Sequence, residues 1–159
     1  MLEAGNDSGQ SAGQISSEAA QYLRECHRRP QPAVVQGRML AEAGVKTAMD
    51  ISDGLADDAG KLLRSSGHAA RLYAEKMPVH PFLKEAFPRE WLDLALHGGE
   101  DYQLLFAASP EMMEIVLPLL PQPVAVVGEV VVGEPGRVSI LDGRGREVAK
   151  HSGGWDHFG

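Results

Sequence analysis

The chain has 159 residues, 43% of them apolar, and a formal net charge of −7. That length suits one ordinary domain with its own core, and the charge leaves nucleic acid and anionic membranes as poor partners. No apolar run approaches the roughly 20 residues of a membrane helix; Cys26, the only cysteine, excludes an internal disulfide and fits a reducing cytoplasm.

The opening "MLEAGNDSGQSAG" has neither the basic nor the apolar region of a signal peptide, so residues 1–14 read as a flexible tail or linker. From Ile15, "ISSEAAQYLRECHRR" puts Ile15, Ala19, Tyr22, Leu23 and Cys26 on one helical face and ends at "RRPQP". A second helix is expected over Val34 to Ala43, stopped by Gly44. The stretch "VKTAMDI" has strand length and delivers Asp50 at its end. After Gly54, Leu55, Ala59, Leu62 and Leu63 recur at helical spacing, and Gly67 closes the helix. "HAARLYAE" reads as a strand, "PREWLDLALHGG" as a short helix and "DYQLLFAAS" as a buried strand. Ser109-Pro110-Glu111 is a helix start, with a capping hydroxyl, a proline at the first position and an acid in the first turn. "VAVVGEVVV" and "RVSILDGRGREVA" supply the last strands, the latter folded at "DGRG". Strands interleaved with helices, with a hairpin near the end, give an α/β (α+β) domain: a mixed sheet packed with helices.

The segment "TAMDISDGLADD" concentrates four aspartates, Asp50, Asp53, Asp57 and Asp58. It is no calcium loop of the helix–loop–helix type: counted from Asp50, the sixth position is Leu55 instead of Gly and the twelfth is Lys61 instead of Glu. Ser52 or Asp53 suits the cap of the helix near Gly54, and Asp57 and Asp58 suit its first turn, at the positive end of the helix dipole. Asp50 follows an apolar strand and would be costly to bury unpaired. Asp50 and Asp53 flank a hydroxyl on a glycine-containing turn, a donor set that Mg²⁺ accepts alongside water and phosphate. "HGGEDYQLLF" places Glu100 and Asp101 after two glycines; it suits either a close backbone approach or a helix end with two solvated acids. "GGWDHFG" at the end suits a lid, a ring platform for a flat ligand or a plain anchor, and His157 has no evident partner.

The ordered set "MDISDGLADD", "LHGGEDYQLLF", "VGEV" and "GGWDHFG" resembles the C-terminal half of the thiamine-monophosphate kinase family, in the aminoimidazole ribonucleotide synthetase-related superfamily. "RRPQP" and "GQSAG" fit as well, although Gln10 and Ala33 depart from the residues usual there. The resemblance implies an ATP-dependent transfer of phosphate to thiamine monophosphate, giving thiamine diphosphate. It implies Asp50 and Asp53 as Mg²⁺ ligands, Ser52 as an ATP contact, and Glu100, Asp101 and Trp155 as substrate contacts. It further implies that residues 15–159 form one C-terminal kinase domain, lacking the N-terminal domain that carries more metal-binding aspartates, much of the ATP site and the main homodimer interface. The chain alone is then expected to be inactive. Two other readings compete: a different ATP-dependent enzyme of the superfamily, and a non-catalytic binding or assembly module that keeps the fold.

Overall fold

Ser16 and Ser109 open helices as their chemistry favours: each side-chain oxygen accepts a first-turn N–H, from Ala19 at 3.2 Å and from Met112 at 3.3 Å. The structure, a computed structural model, describes residues 15–151. The expected tail 1–14 and the terminal Trp155 and His157 lie outside the described residues.

The elements run α1 (Ser17–Arg28), α2 (Val34–Glu42), β1 (Thr47–Asp50), α3 (Leu55–Ser66), β2 (Ala69–Tyr73), a 3-10 turn (Ala74–Lys76), α4 (Pro81–Ala86), α5 (Trp91–His97), β3 (Leu104–Ala107), α6 (Pro110–Val116), β4 (Gly128–Val131), β5 (Val138–Leu141) and β6 (Glu147–His151). The expected helices and strands are all present, with four differences, the first being that "HAARLYAE" stays extended only to Tyr73 and passes into the 3-10 turn at Ala74. α4 had no counterpart in the sequence reading: it starts on Pro81 behind a His80 cap, and its six residues are too few to display a helical period. β4 occupies only Gly128–Val131 of "VAVVGEVVV", the part that pairs with β2. β3 begins at Leu104 rather than at Asp101, because Glu100 and Tyr102 have φ of 66° and 50°, which extended backbone does not allow.

The strands form two sheets. β4-β2-β5-β6 is a mixed sheet: β2 runs parallel to β5 and antiparallel to β4, and β5–β6 is the hairpin read from "DGRG". β1 and β3 form a separate antiparallel ribbon, with Asp50 opposite Leu104. Helix α3 turns Leu55, Ala56, Ala59 and Leu63 inward. Leu55, Ala56 and Ala59 share the larger core with Leu72, Val138 and Ile140 of the mixed sheet and Leu96 of α5. A smaller core gathers Leu40 of α2, Val116 of α6 and Leu120. β3 serves both, since Leu105 packs against the larger core while Leu104 and Phe106 pack against the smaller. Between β1 and α3, Ile51 packs against the larger core.

Candidate functional site

The loop Ile51–Gly54 lies beside the segment that leads into β3. Ile51 donates its N–H to the Gln103 carbonyl at 2.8 Å, and Tyr102 donates back to Ile51 at 2.9 Å. Next, Glu100 donates its N–H to the Ser52 carbonyl at 2.8 Å. Gly99 permits this approach, because a Cβ there would run into the Ser52 carbonyl oxygen. Gly54 meets the same constraint from the other side: its φ is 123°, and a Cβ would stand 2.9 Å from His97 Cα. The two motifs read separately in the sequence thus form one backbone crossing. The segment after α1 joins it, with Ala33 donating to the Tyr102 carbonyl at 3.1 Å and the Gln103 amide donating to the Gln31 carbonyl at 2.9 Å.

Of the residues singled out, the crossing sets the main chain of Ser52 against that of Glu100, with Asp50 and Asp53 on the first segment and Asp101 on the second. Asp50 is exposed at the end of β1, so no cost of burial attaches to it. Asp53 and Glu100 are also exposed, and Ser52 is half-buried. Asp101 is exposed as a residue, yet desolvation around its carboxyl pushes its pKa up. Trp155 lies outside the described residues.

The expected cap of α3 needs correction. Gly54 occupies the N-cap without a side-chain hydrogen bond, so neither Ser52 nor Asp53 caps that helix. Asp58 needs a larger correction, because it is no ordinary first-turn acid: it is fully buried. Its Oδ2 accepts the N–H of Ser52 at 2.8 Å and of Asp53 at 2.9 Å, and its Oδ1 accepts from Lys61 Nζ at 2.8 Å. Lys61 also pairs with Asp53. Burial pushes the Asp58 pKa up, but the bonds from Lys61 and from the two main-chain N–H groups outweigh it and hold the carboxyl below the ordinary range. Bonds to Asp53 first, and then to Asp58, hold the Lys61 ammonium above the ordinary lysine range. The sequence reading missed both residues as parts of the site. A signal existed: Asp58 stands three residues after Leu55 and just before Ala59, inside the apolar stripe of α3.

Among the described residues, no three or more His, Cys, Asp or Glu side chains come together as a metal cage. Asp50 and Asp53 nevertheless fit Mg²⁺ as a partial donor set, being exposed carboxylates on one turn, because this ion binds through one or two carboxylates and keeps waters and phosphates for the rest. Asp53 would have to share with, or leave, Lys61.

Comparison with known proteins agrees with the resemblance read from the motifs. Residues 2–140 match the family model described as AIR synthase related protein, C-terminal domain. The chain belongs to that family. It is 34% identical to thiamine-monophosphate kinase of Escherichia coli strain K12 over 144 residues, which are 87% of this chain and 43% of that protein. The enzyme of the same name from Methanopyrus kandleri is 38% identical over 101 residues, covering 61% of this chain and 33% of that one. The chain thus spans less than half the length of the curated relatives it matches. Among solved structures, thiamine-monophosphate kinase from Stenotrophomonas maltophilia K279a superposes with a TM-score of 0.72 at 32% identity, covering 78% of this chain and 40% of that one. AaThiL complexed with AMPPCP and TMP gives a TM-score of 0.71 at 31% identity, over 91% of this chain and 44% of that one. The hydrogenase maturation protein HypE, at 17% identity and a TM-score of 0.61, shares the fold.

Proposed function

We propose that this chain is the C-terminal part of an ATP-dependent kinase that converts thiamine monophosphate to thiamine diphosphate. The observation that carries the reading is the crossing of residues 51–54 with 99–102, which sets the loop of Asp50, Ser52 and Asp53 against Glu100 and Asp101. A relative with the same fold, AaThiL, is complexed with AMPPCP and TMP, which supports an ATP-like nucleotide and thiamine monophosphate as ligands of this site.

In the reaction, an oxygen of the thiamine monophosphate phosphate attacks the γ-phosphorus of ATP; the new P–O bond forms as the bond to the β-phosphate oxygen breaks and ADP leaves. The attacking oxygen is already ionised at neutral pH, so positioning and charge neutralisation carry the catalysis rather than a strong base. Asp50 and Asp53 would hold Mg²⁺, which offsets the phosphate charge when bound. Ser52, fixed through its N–H and its carbonyl, would turn its hydroxyl to ATP. Glu100 and Asp101 would face the cationic thiamine, and Trp155 would stack on one of its rings. An N-terminal half preceding this domain would supply the remaining metal ligands and the homodimer interface, and a cytoplasmic location fits the lone cysteine.

The test joins this chain to the N-terminal half of the Escherichia coli enzyme. The chimaera is expected to convert thiamine monophosphate with ATP and Mg²⁺, and Asp50→Asn to lower the rate about 100-fold or more. The 159-residue chain alone is expected to show no turnover. A folded chimaera that ignores thiamine monophosphate but phosphorylates another acceptor would overturn the substrate.

A further inference from the structure

Lys61 bridges two carboxylates of unlike standing. Asp58 has no exposed surface, and both of its oxygens are engaged: Oδ2 by the N–H groups of Ser52 and Asp53, Oδ1 by Lys61 at 2.8 Å. Withdrawing Lys61 would leave a buried charge without its counter-ion, which is strongly unfavourable. The side chain of Asp53, by contrast, is 58% exposed, and its bond to Lys61 is a surface ion pair. Such pairs are weak because water and salt replace them at little cost. An ammonium group has three donors, so Lys61 serves both acids at once and keeps one when the other departs.

We propose that Lys61 is a resident counter-cation of Asp53, tethered by buried Asp58, that gives up Asp53 when a divalent cation is taken and stays paired with Asp58. The inference rests on the reading of Asp53 as a Mg²⁺ ligand. Asp58 grips the main chain of Ser52 and Asp53, so the exchange needs only the Asp53 side chain to swing, with no rebuilding of the loop. Lys61 therefore competes with the cation for one carboxylate and lowers the affinity of the turn for it. Asp58 acts through the loop and is a positioning residue.

The experiment titrates the chain with Mn²⁺ and follows paramagnetic broadening of the amide signals of residues 50–54. Lys61→Gln, which keeps an amide donor for buried Asp58 and loses the charge, is expected to bind Mn²⁺ at this loop about fivefold tighter than the unaltered chain, the upper range for an exposed pair. Lys61→Arg is expected to bind as the unaltered chain does, and Asp53→Asn to remove the gain from Lys61→Gln. Signals from β2 and β5 report whether the fold is retained; if Lys61→Gln disturbs them, Lys61→Met takes its place. Equal or weaker Mn²⁺ binding after the charge is removed overturns the inference and leaves Asp53 standing as a ligand. No broadening of residues 50–54 in any variant overturns the metal reading, and the inference with it.

Discussion

Asp58 and Asp57 are neighbours of the same chemical type in the first turn of one helix, yet the fold treats them differently. Asp57 is half-buried, whereas Asp58 has no exposed surface and anchors three donors. Composition and the helix dipole give both residues the same reason to be there, so a dipole argument could not separate them. Their phase could: residue 58 falls within the apolar stripe begun by Leu55, and an acid there has to find donors. Asp58→Ala takes the acceptor from two main-chain N–H groups and leaves the Lys61 ammonium with Asp53 alone. We expect it to cost about 3 kcal/mol in urea unfolding, as loss of a partner in a buried charged network does. Asp50, Ser52, Asp53 and Glu100 could be singled out as candidates because their order along the chain resembles a family's motifs. Their mutual placement was not, since it depends on Gly99 passing directly over a carbonyl oxygen.

Among the elements, the β5–β6 hairpin was the most legible, and its turn shows why. Asp142 accepts the N–H of Arg144 and of Arg146, each at 2.9 Å, and pairs with the Arg146 guanidinium at 2.7 Å. The Arg146 N–H first, and then its side chain, hold the Asp142 pKa below the ordinary carboxylate range. A depressed value in the fold means that the carboxylate's stabilisation is fully present above the ordinary value of about 4. It is lost as pH falls through the lower folded value. Amide exchange at Gly145 and Arg146 is therefore expected to lose protection on acidification through that window, after correction for intrinsic exchange. Asp142→Ala should abolish this acid step; an unchanged step would assign it to another group. The less legible elements fail for physical reasons. α4 is too short for periodicity to register, and β3 starts late because two residues with positive φ precede it.

At the scale of the whole molecule, the two cores differ in depth. Among the described residues, the larger holds nine buried residues, from Leu55 to Ile140, and the smaller has Leu40, Val116 and Leu120. Local stability follows the density of buried contacts, so the amides of β2 and β5 should exchange slowest. Those of β1 and β3 should exchange at least about tenfold faster, and uniform exchange across both sheets would contradict this ranking. The sequence announced a mixed α/β domain but not its division into two cores, because the run "LLF" reads only as a buried strand. That run is a wall common to both cores, with Leu105 on one side and Leu104 and Phe106 on the other. A partition shared in this way prevents the two halves of the domain from diverging independently. A side chain enlarged on one side shifts the strand, and the strand carries its opposite face with it. Ile51 is hydrogen-bonded beside that wall, to Gln103 and Tyr102, so substitutions far from the loop of residues 51–54 would still reach it, and compensating changes would be found across the partition rather than beside the original one.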